Sequence, residues 1–329
     1  TVYENGLIAY WNFNDGQNNS LIDYSSNGYN GSIDGASWSD DFPMPPNFGP
    51  LWFVSNGGSD ENNGSIEYPF QTINKAINSA PDGDSILVQS GEYYEILDIS
   101  NRNLTILGQD KNNTIINAEQ NGHAIRFDNS NNQGAHSEIK GFTILNAVRE
   151  GDGAGVYAYY GEIVLGDLII KNNESVNGEG GGISIENSSN SIIYNSIIKN
   201  NVARPRGGGI NVHNSNVQII NSIINGNTIY STSQGSGNSG AGLYINQNST
   251  VDLNFVEVSQ NVSFDQGGAF FIDDNSSISL NNVTMANNSA VGNSFVPFGD
   301  ENSGNGGAFA AYGNSIINFS KSIILGNVA

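Results

Sequence analysis

Residues 153–159 read GAGVYAY, residues 180–186 GGGISIE and residues 207–213 GGGINVH. The same cluster of small residues ahead of an apolar strand returns as GAGLYIN at 240–246, GGAFFID at 267–273 and GGAFAAY at 306–312. The first apolar residues of these stretches are Val156, Ile183, Ile210, Leu243, Phe270 and Phe309, at spacings of 27, 27, 33, 27 and 39. The two longer spacings carry extra residues in one loop, within 228–238 and 289–305. Each unit holds three short β-branched runs; in one unit they are ISIE (183–186), SIIY (191–194) and SIIKNN (196–201). A unit this small cannot bury an apolar face alone and must stack on its neighbours, which predicts a solenoid. Three strands per turn at this period predict an all-β, right-handed parallel β-helix, with coils about 4.8 Å apart along the axis.

Composition agrees with this reading. Asn makes up about one residue in six of the 329, and the repeat places it at corners. There it tolerates left-handed backbone, and its amide can bond to the same amide one coil away. The expected ladder members are Asn172, Asn200, Asn227, Asn261, Asn287 and Asn327, with Asn195, Asn221 and Asn282 at the preceding corner. The formal net charge of -21, from 11 basic and 32 acidic residues, argues against nucleic acid, whose phosphates need clustered Lys and Arg. It argues equally against anionic lipid surfaces. Zero Cys removes disulfide scaffolds, Cys-ligated zinc and thiol chemistry. No apolar run approaches the ~18 residues of a membrane span, so membrane insertion is not expected.

Three regions differ in texture. Residues 1–40 are aromatic and rich in Asn and Gly. Residues 41–50, DFPMPPNFGP, hold four of the eight prolines and read as a linker. From Leu51 onward the β-helix pattern runs to residue 329, as an N-terminal cap over 51–83 and coils over 84–329. The one predicted helix is Phe70 to Ala80, with Phe70, Ile73, Ala76, Ile77 and Ala80 at helical spacing and the turn PDGD after it. The chain opens at Thr1 without a signal peptide, which suggests a mature product or a fragment. Its final stretch, SIINFSKSIILGNVA (315–329), stops inside a coil with no polar capping element. The expectation is a chain cut from a longer protein or a second chain over that edge. Subunits stacked head to tail would build a filament.

The stretch WFVSNGGSDENNGSIEYPFQTINKAINSAPDGDSILVQSGEYYE (52–95) resembles the N-terminal cap and first coil of secreted pectate-lyase-like β-helix proteins. The later GGGI…N-N coils are similar to the repeats of bacterial surface proteins and adhesins. Residues 7–38, LIAYWNFNDG…GYNGSIDGASW, resemble the first strands of a laminin-G or concanavalin-like jelly roll, in a segment too short for a whole module. These resemblances imply a parallel β-helix that is extracellular or on the cell surface. They imply contact with polysaccharide or cell-surface glycan.

Taking the first apolar residue of each unit as inward leaves two columns pointing outward. One is Tyr159, Glu186, His213, Asn246, Asp273 and Tyr312. The other is Tyr157, Ser184, Asn211, Tyr244, Phe271 and Ala310. Aromatic rings beside carboxylates and amides suit a polysaccharide; the competing reading is an ordinary solvated strand face. Glu186 and Asp273 lie about 14 Å apart at strand spacing, too far for paired glycosidase carboxylates, which need ~5–10 Å. Asp273 and Asp274 resemble the paired aspartates of β-helix polygalacturonases, but the His-Gly and Arg-x-Lys partners of that family are missing. A lyase needs the uronate neutralised, usually by Ca²⁺, and a base near its α-proton. Lys199, Arg204, Arg206 and His213 are the candidates, with Lys171 stacked under Lys199; ion pairing to Glu174 and Glu179 is the alternative use of the two arginines. The Asp-Asp-x-x-Asp calcium set of some β-helix lyases is absent. Asp60, Glu61, Asn62 and Asn63 in the cap loop are candidate Ca²⁺ ligands, or simply a solvated acidic loop. His123 and His136 read as isolated surface or loop residues. Two functions follow: a structural or adhesive protein that contacts carbohydrate or self-assembles, and, as the alternative, a Ca²⁺-assisted lyase on uronate polymers.

Overall fold

The computed structural model describes residues 7–11, 19–25, 27–37, 46–188, 190–230, 239–291 and 306–329. The first half of the Pro-rich segment 41–50 and the centres of the two long loop insertions lie outside these residues. The chain divides into two compact units, Thr1–Pro46 and Asn47–Ala329. In the first, Ser20–Leu21 pairs antiparallel with Gly31–Ser32. The connection between them closes on the buried carboxylate of Asp23, which accepts the backbone N–H groups of Tyr10, Ser25 and Tyr29 at 2.7–2.8 Å and the Ser25 hydroxyl at 2.8 Å. Burial opposes its ionisation, yet these donors together hold it down to about 2.

The second unit is a parallel β-helix. Among the described residues its strands form four parallel sheets of 10, 9, 6 and 8 strands. One coil runs Glu162–Gly166, Ile169–Lys171, Glu174–Val176 and Ile183–Glu186. The three runs expected per coil are present, and a short fourth strand of two or three residues follows the second corner. Parallel strands joined by these crossovers take the right hand. The register confirms the stacking: Ile125, Val156, Ile183, Ile210, Leu243, Phe270 and Phe309 are successive vertical partners. All but Phe309 are buried, with Ile106, Ile139, Leu165, Ile193, Ile219 and Leu253 stacking from the first sheet opposite.

The corner asparagines separate into two columns. Asn173, Asn201, Asn227, Asn261, Asn288 and Asn327 form the ladder, buried except at half-buried Asn327, each Nδ2 donating to the next Oδ1 at 2.8–3.1 Å. The expected members Asn172, Asn200 and Asn287 sit one residue earlier, with φ of 56°, 54° and 55°. They make the left-handed bend that aims the following residue inward. Asn195, Asn221 and Asn282, with φ of 50°, 48° and 54°, do the same at the previous corner. Behind that bend the stacked polar residue is serine: Ser196 Oγ accepts the Leu168 N–H, and Ser222 Oγ accepts the Ser196 N–H, both at 3.1 Å.

The leading glycine of each repeat has a separate purpose. Gly153, Gly180, Gly207, Gly240, Gly267 and Gly306 all hold φ between 62° and 74°. A Cβ on Gly180 would lie 2.3 Å from the Ile183 carbonyl oxygen and 3.0 Å from the Ser184 Cα. At this residue the incoming loop folds back over the outer face of the strand that it feeds.

The helix is Ile73–Ser79, the core of the predicted stretch. Ile73, Ala76 and Ile77 lie in the hydrophobic core next to the first strands. Its N-terminal N–H groups at Ile73 and Asn74 donate to the Glu95 carboxylate at 2.8 and 2.9 Å. In the last coil, Ile316, Ile323, Ile324 and Leu325 are exposed. No helix among the described residues is long and apolar enough to cross a membrane.

Candidate functional site

The fold-back glycines decide what happens on the outer face of the fourth sheet. The column Tyr157, Ser184, Asn211, Tyr244, Phe271, Ala310 points away from the core as expected. Yet it is not an open groove floor, because Ser184, Asn211, Tyr244, Phe271 and Ala310 are all buried. The fold-back glycines lie over it, Gly180 against Ser184 and Gly267 against Phe271. The next column, Tyr159, Glu186, His213, Asn246, Asp273, Tyr312, lies at the rim, half-buried except for buried Asn246 and exposed Tyr312.

Between loop and strand lies a pocket of about 390 Å³, lined by Asp152, Asn177, Gly178, Glu179, Glu186, Pro205, Arg206, Asn211, His213 and Asn246. It brings together Glu186, His213, Asn246 and Arg206. Asn211 comes from the second outward column and Glu179 was read as an ion-pair partner; Asp152, Asn177, Gly178 and Pro205 were not singled out by sequence reasoning. Asp152, Glu179 and Arg206 each immediately precede a fold-back glycine, so the repeat stacks them. The Asp152 carboxylate accepts the Glu179 N–H at 2.6 Å, and Arg206 pairs with Glu179 at 3.1 Å. The Arg206 guanidinium also lies 5.1 Å from the centre of the Tyr244 ring.

The hydrogen bonds in the pocket run one way. Asn211 Nδ2 donates to Ser184 Oγ at 2.9 Å, and Ser184 Oγ donates to the Glu186 carboxylate at 2.8 Å. Asn246 Nδ2 donates to the Tyr244 hydroxyl at 3.2 Å. Each amide nitrogen thus donates one hydrogen bond, while the buried carbonyl oxygens of Asn211 and Asn246 have no partner. Asn211 is 1% exposed and Asn246 6%. A buried acceptor left empty costs about 1–3 kcal/mol, so both oxygens favour an incoming donor.

Burial pushes the Glu186 carboxyl up to about 7; the nearby charges of Asp152 and Glu179 add to this, and the Ser184 and Tyr157 hydroxyls oppose it. Burial also raises Glu179, with Arg206 opposing. One coil below, Tyr157 stacks on His123, centroids 4.9 Å apart, and on Tyr159 at 6.3 Å. His123 is thus not the isolated residue that the sequence suggested. Burial lowers it to about 4, and its Nδ1 lies 2.7 Å from the Gly153 carbonyl oxygen. On the other side Tyr244, Phe271 and Tyr312 stack at 5.8 and 5.3 Å. Aromatic rings therefore flank the pocket along the axis.

The remaining candidates lie elsewhere. Lys171 and Lys199 are vertical partners, but in the second sheet. Arg204 is bound to Glu174 at 2.7 Å and lies over Tyr230. Asp273 caps a turn, accepting the Asp274 N–H at 2.8 Å, and Asp274 has φ of 53°. His136 is exposed, 3.6 Å from Glu162. In the cap loop, Asp60 accepts the N–H groups of Gln71 and Thr72 and the Thr72 hydroxyl. Asn62 donates to the Pro69 carbonyl, and Asn63 accepts the Ser65 N–H; Glu61 is exposed. These side chains tie the loop to the helix start. No group of three His, Asp or Glu side chains among the described residues is placed as a metal centre requires.

No family model matches the chain. A curated relative, the uncharacterized protein YwoF of Bacillus subtilis (strain 168), is 32% identical over 76 residues, 22% of this chain. The match spans 16% of that protein's length. Among solved structures, pectate lyase Pel9A is similar over 88% of this chain and 79% of its own, at 14% identity and a TM-score of 0.36. A rhamnogalacturonan lyase is similar over 85% and 69%, at 14% and 0.35. The pectin methylesterase of Aspergillus niger is similar over 84% and 88%, at 13% and 0.34. Likenesses this distant leave the chemistry to the side chains of the chain itself.

Proposed function

We propose that the protein is an extracellular β-helix that holds a glycan in the pocket between Glu186, His213 and Asn246. The observation that carries this reading is the pair of buried, unpartnered carbonyl oxygens of Asn211 and Asn246 in one pocket. Sugar hydroxyls and amines are donors for such oxygens, and the tyrosines along the axis suit sugar rings. The lyase alternative has less support: Lys199 stands on another sheet, and Arg204 and Arg206 are bound to Glu174 and Glu179. Residues 7–38 keep their reading as a partial jelly-roll-like segment.

The test is retention on a panel of immobilised acidic, neutral and amino glycans. We expect His213→Ala and Asn246→Ala to weaken retention about tenfold, about 1.4 kcal/mol, with Lys199→Ala unchanged. No retention on any glycan, or a loss confined to Lys199→Ala, would remove the reading.

A further inference from the structure

We propose that the pocket takes the protonated amino group of an amino sugar and rejects a uronate carboxylate. This rests on the glycan-holding reading and adds the charge class of the ligand.

The argument is a count of donors and acceptors. The pocket contains the carboxylates of Asp152, Glu179 and Glu186 and one guanidinium, Arg206, which is already paired with Glu179. The two amides present their acceptor ends. Their orientation is set by the neighbours: Ser184 Oγ donates to the Glu186 carboxyl and accepts from Asn211 Nδ2. The bond from Asn246 Nδ2 to the Tyr244 hydroxyl orients the second amide in the same sense. A uronate carboxylate entering here would meet acceptor oxygens and like charge. An ammonium brings three donors and one positive charge, and Asn211, Asn246 and Glu186 line the same pocket.

Proton linkage gives a second signature. The groups facing Glu186 are Tyr157 and Tyr159 from the strand below, Ser184 on its own strand, His213 from the strand above, and Asp152, Glu179 and Arg206 from the loops. Burial holds Glu186 partly protonated near neutrality. A bound cation favours its ionised form and expels a proton, whereas a bound anion draws one in.

The experiment is calorimetric titration of the full chain at about pH 6, in two buffers of different ionisation enthalpy. The ligands are the glucosamine tetrasaccharide, its N-acetylated counterpart, a galacturonate tetrasaccharide and tetralysine. We expect the amino form to bind about tenfold more tightly than the acetylated one, with net proton release. Asp152→Asn and Glu186→Gln, both isosteric, should abolish that preference. Glu67→Gln on the N-terminal cap should leave it intact, which separates the pocket from general attraction to a chain of net charge -21. Tighter binding of the galacturonate, or equal binding of amino and acetylated forms, overturns the inference and leaves the glycan reading standing. Binding of tetralysine as tight as the amino sugar also overturns it. Binding of no sugar at all removes both.

Discussion

Two groups of buried asparagines lie only one sheet apart and end differently. In the corner ladder, Asn227 fills every valence. Its Oδ1 accepts the N–H and the Nδ2 of Asn201, and its Nδ2 donates to the Ile198 carbonyl and to Asn261. In the pocket, Asn211 and Asn246 are as well buried, yet each keeps a carbonyl oxygen without a partner. The residue type and the burial match; only the satisfaction differs. A filled amide is architecture, and an empty one is where the proposed ligand would bind.

The comparison can be broken or sharpened by substitution. The largest effect belongs to Asn227→Ala. It strands two backbone groups and two amide ends in the core, so chemical denaturation should show a loss of about 3–5 kcal/mol. A loss below about 1 kcal/mol would deny the ladder its structural role.

Next is Glu186→Gln. A carboxyl raised above its unfolded value stabilises the fold at low pH and gives that stability up as pH rises through the folded value. From about pH 5 to pH 8 the native chain should therefore lose on the order of 2 kcal/mol relative to the variant. Parallel melting-temperature profiles for the two would show that Glu186 is not raised.

Asn211→Ala should cost only about 1 kcal/mol, since it removes one bond to Ser184 and an oxygen that had none. A cost equal to that of Asn227→Ala would erase the distinction. Smallest is Lys199→Ala, which changes one of two stacked lysines on the second sheet. It should shift stability by less than about 0.5 kcal/mol and leave glycan retention unchanged.

The fold was legible because stacking forces period into the sequence. The spacing from Val156 to Phe309 names the vertical partners directly. The ladder was legible only to within one residue. At the corners Asn172-Asn173, Asn200-Asn201 and Asn287-Asn288 stand together, and composition cannot say which bends the chain and which points inward. The Gly226-Asn227 and Gly326-Asn327 pairs held the answer, because glycine takes the bend there and leaves Asn for the ladder. The fourth strand was missed because two or three residues carry no period. Four of the ten pocket residues, Glu186, Asn211, His213 and Asn246, were in the outward columns read from the strands. Asp152, one position before the repeating glycine, escaped notice, and Glu179 was read only as an ion-pair partner, since a strand-based alignment stops there. That the inner column would be covered depends on the fold-back at φ near 69° at Gly180, which shows in sequence only as another glycine.

The most direct test is a crystal structure of the protein with the glucosamine tetrasaccharide. The account predicts an amino group within hydrogen-bonding distance of the Asn211 and Asn246 carbonyl oxygens, beside the Glu186 carboxylate. A structure in which protein groups satisfy both oxygens while the sugar lies elsewhere or is absent would contradict it.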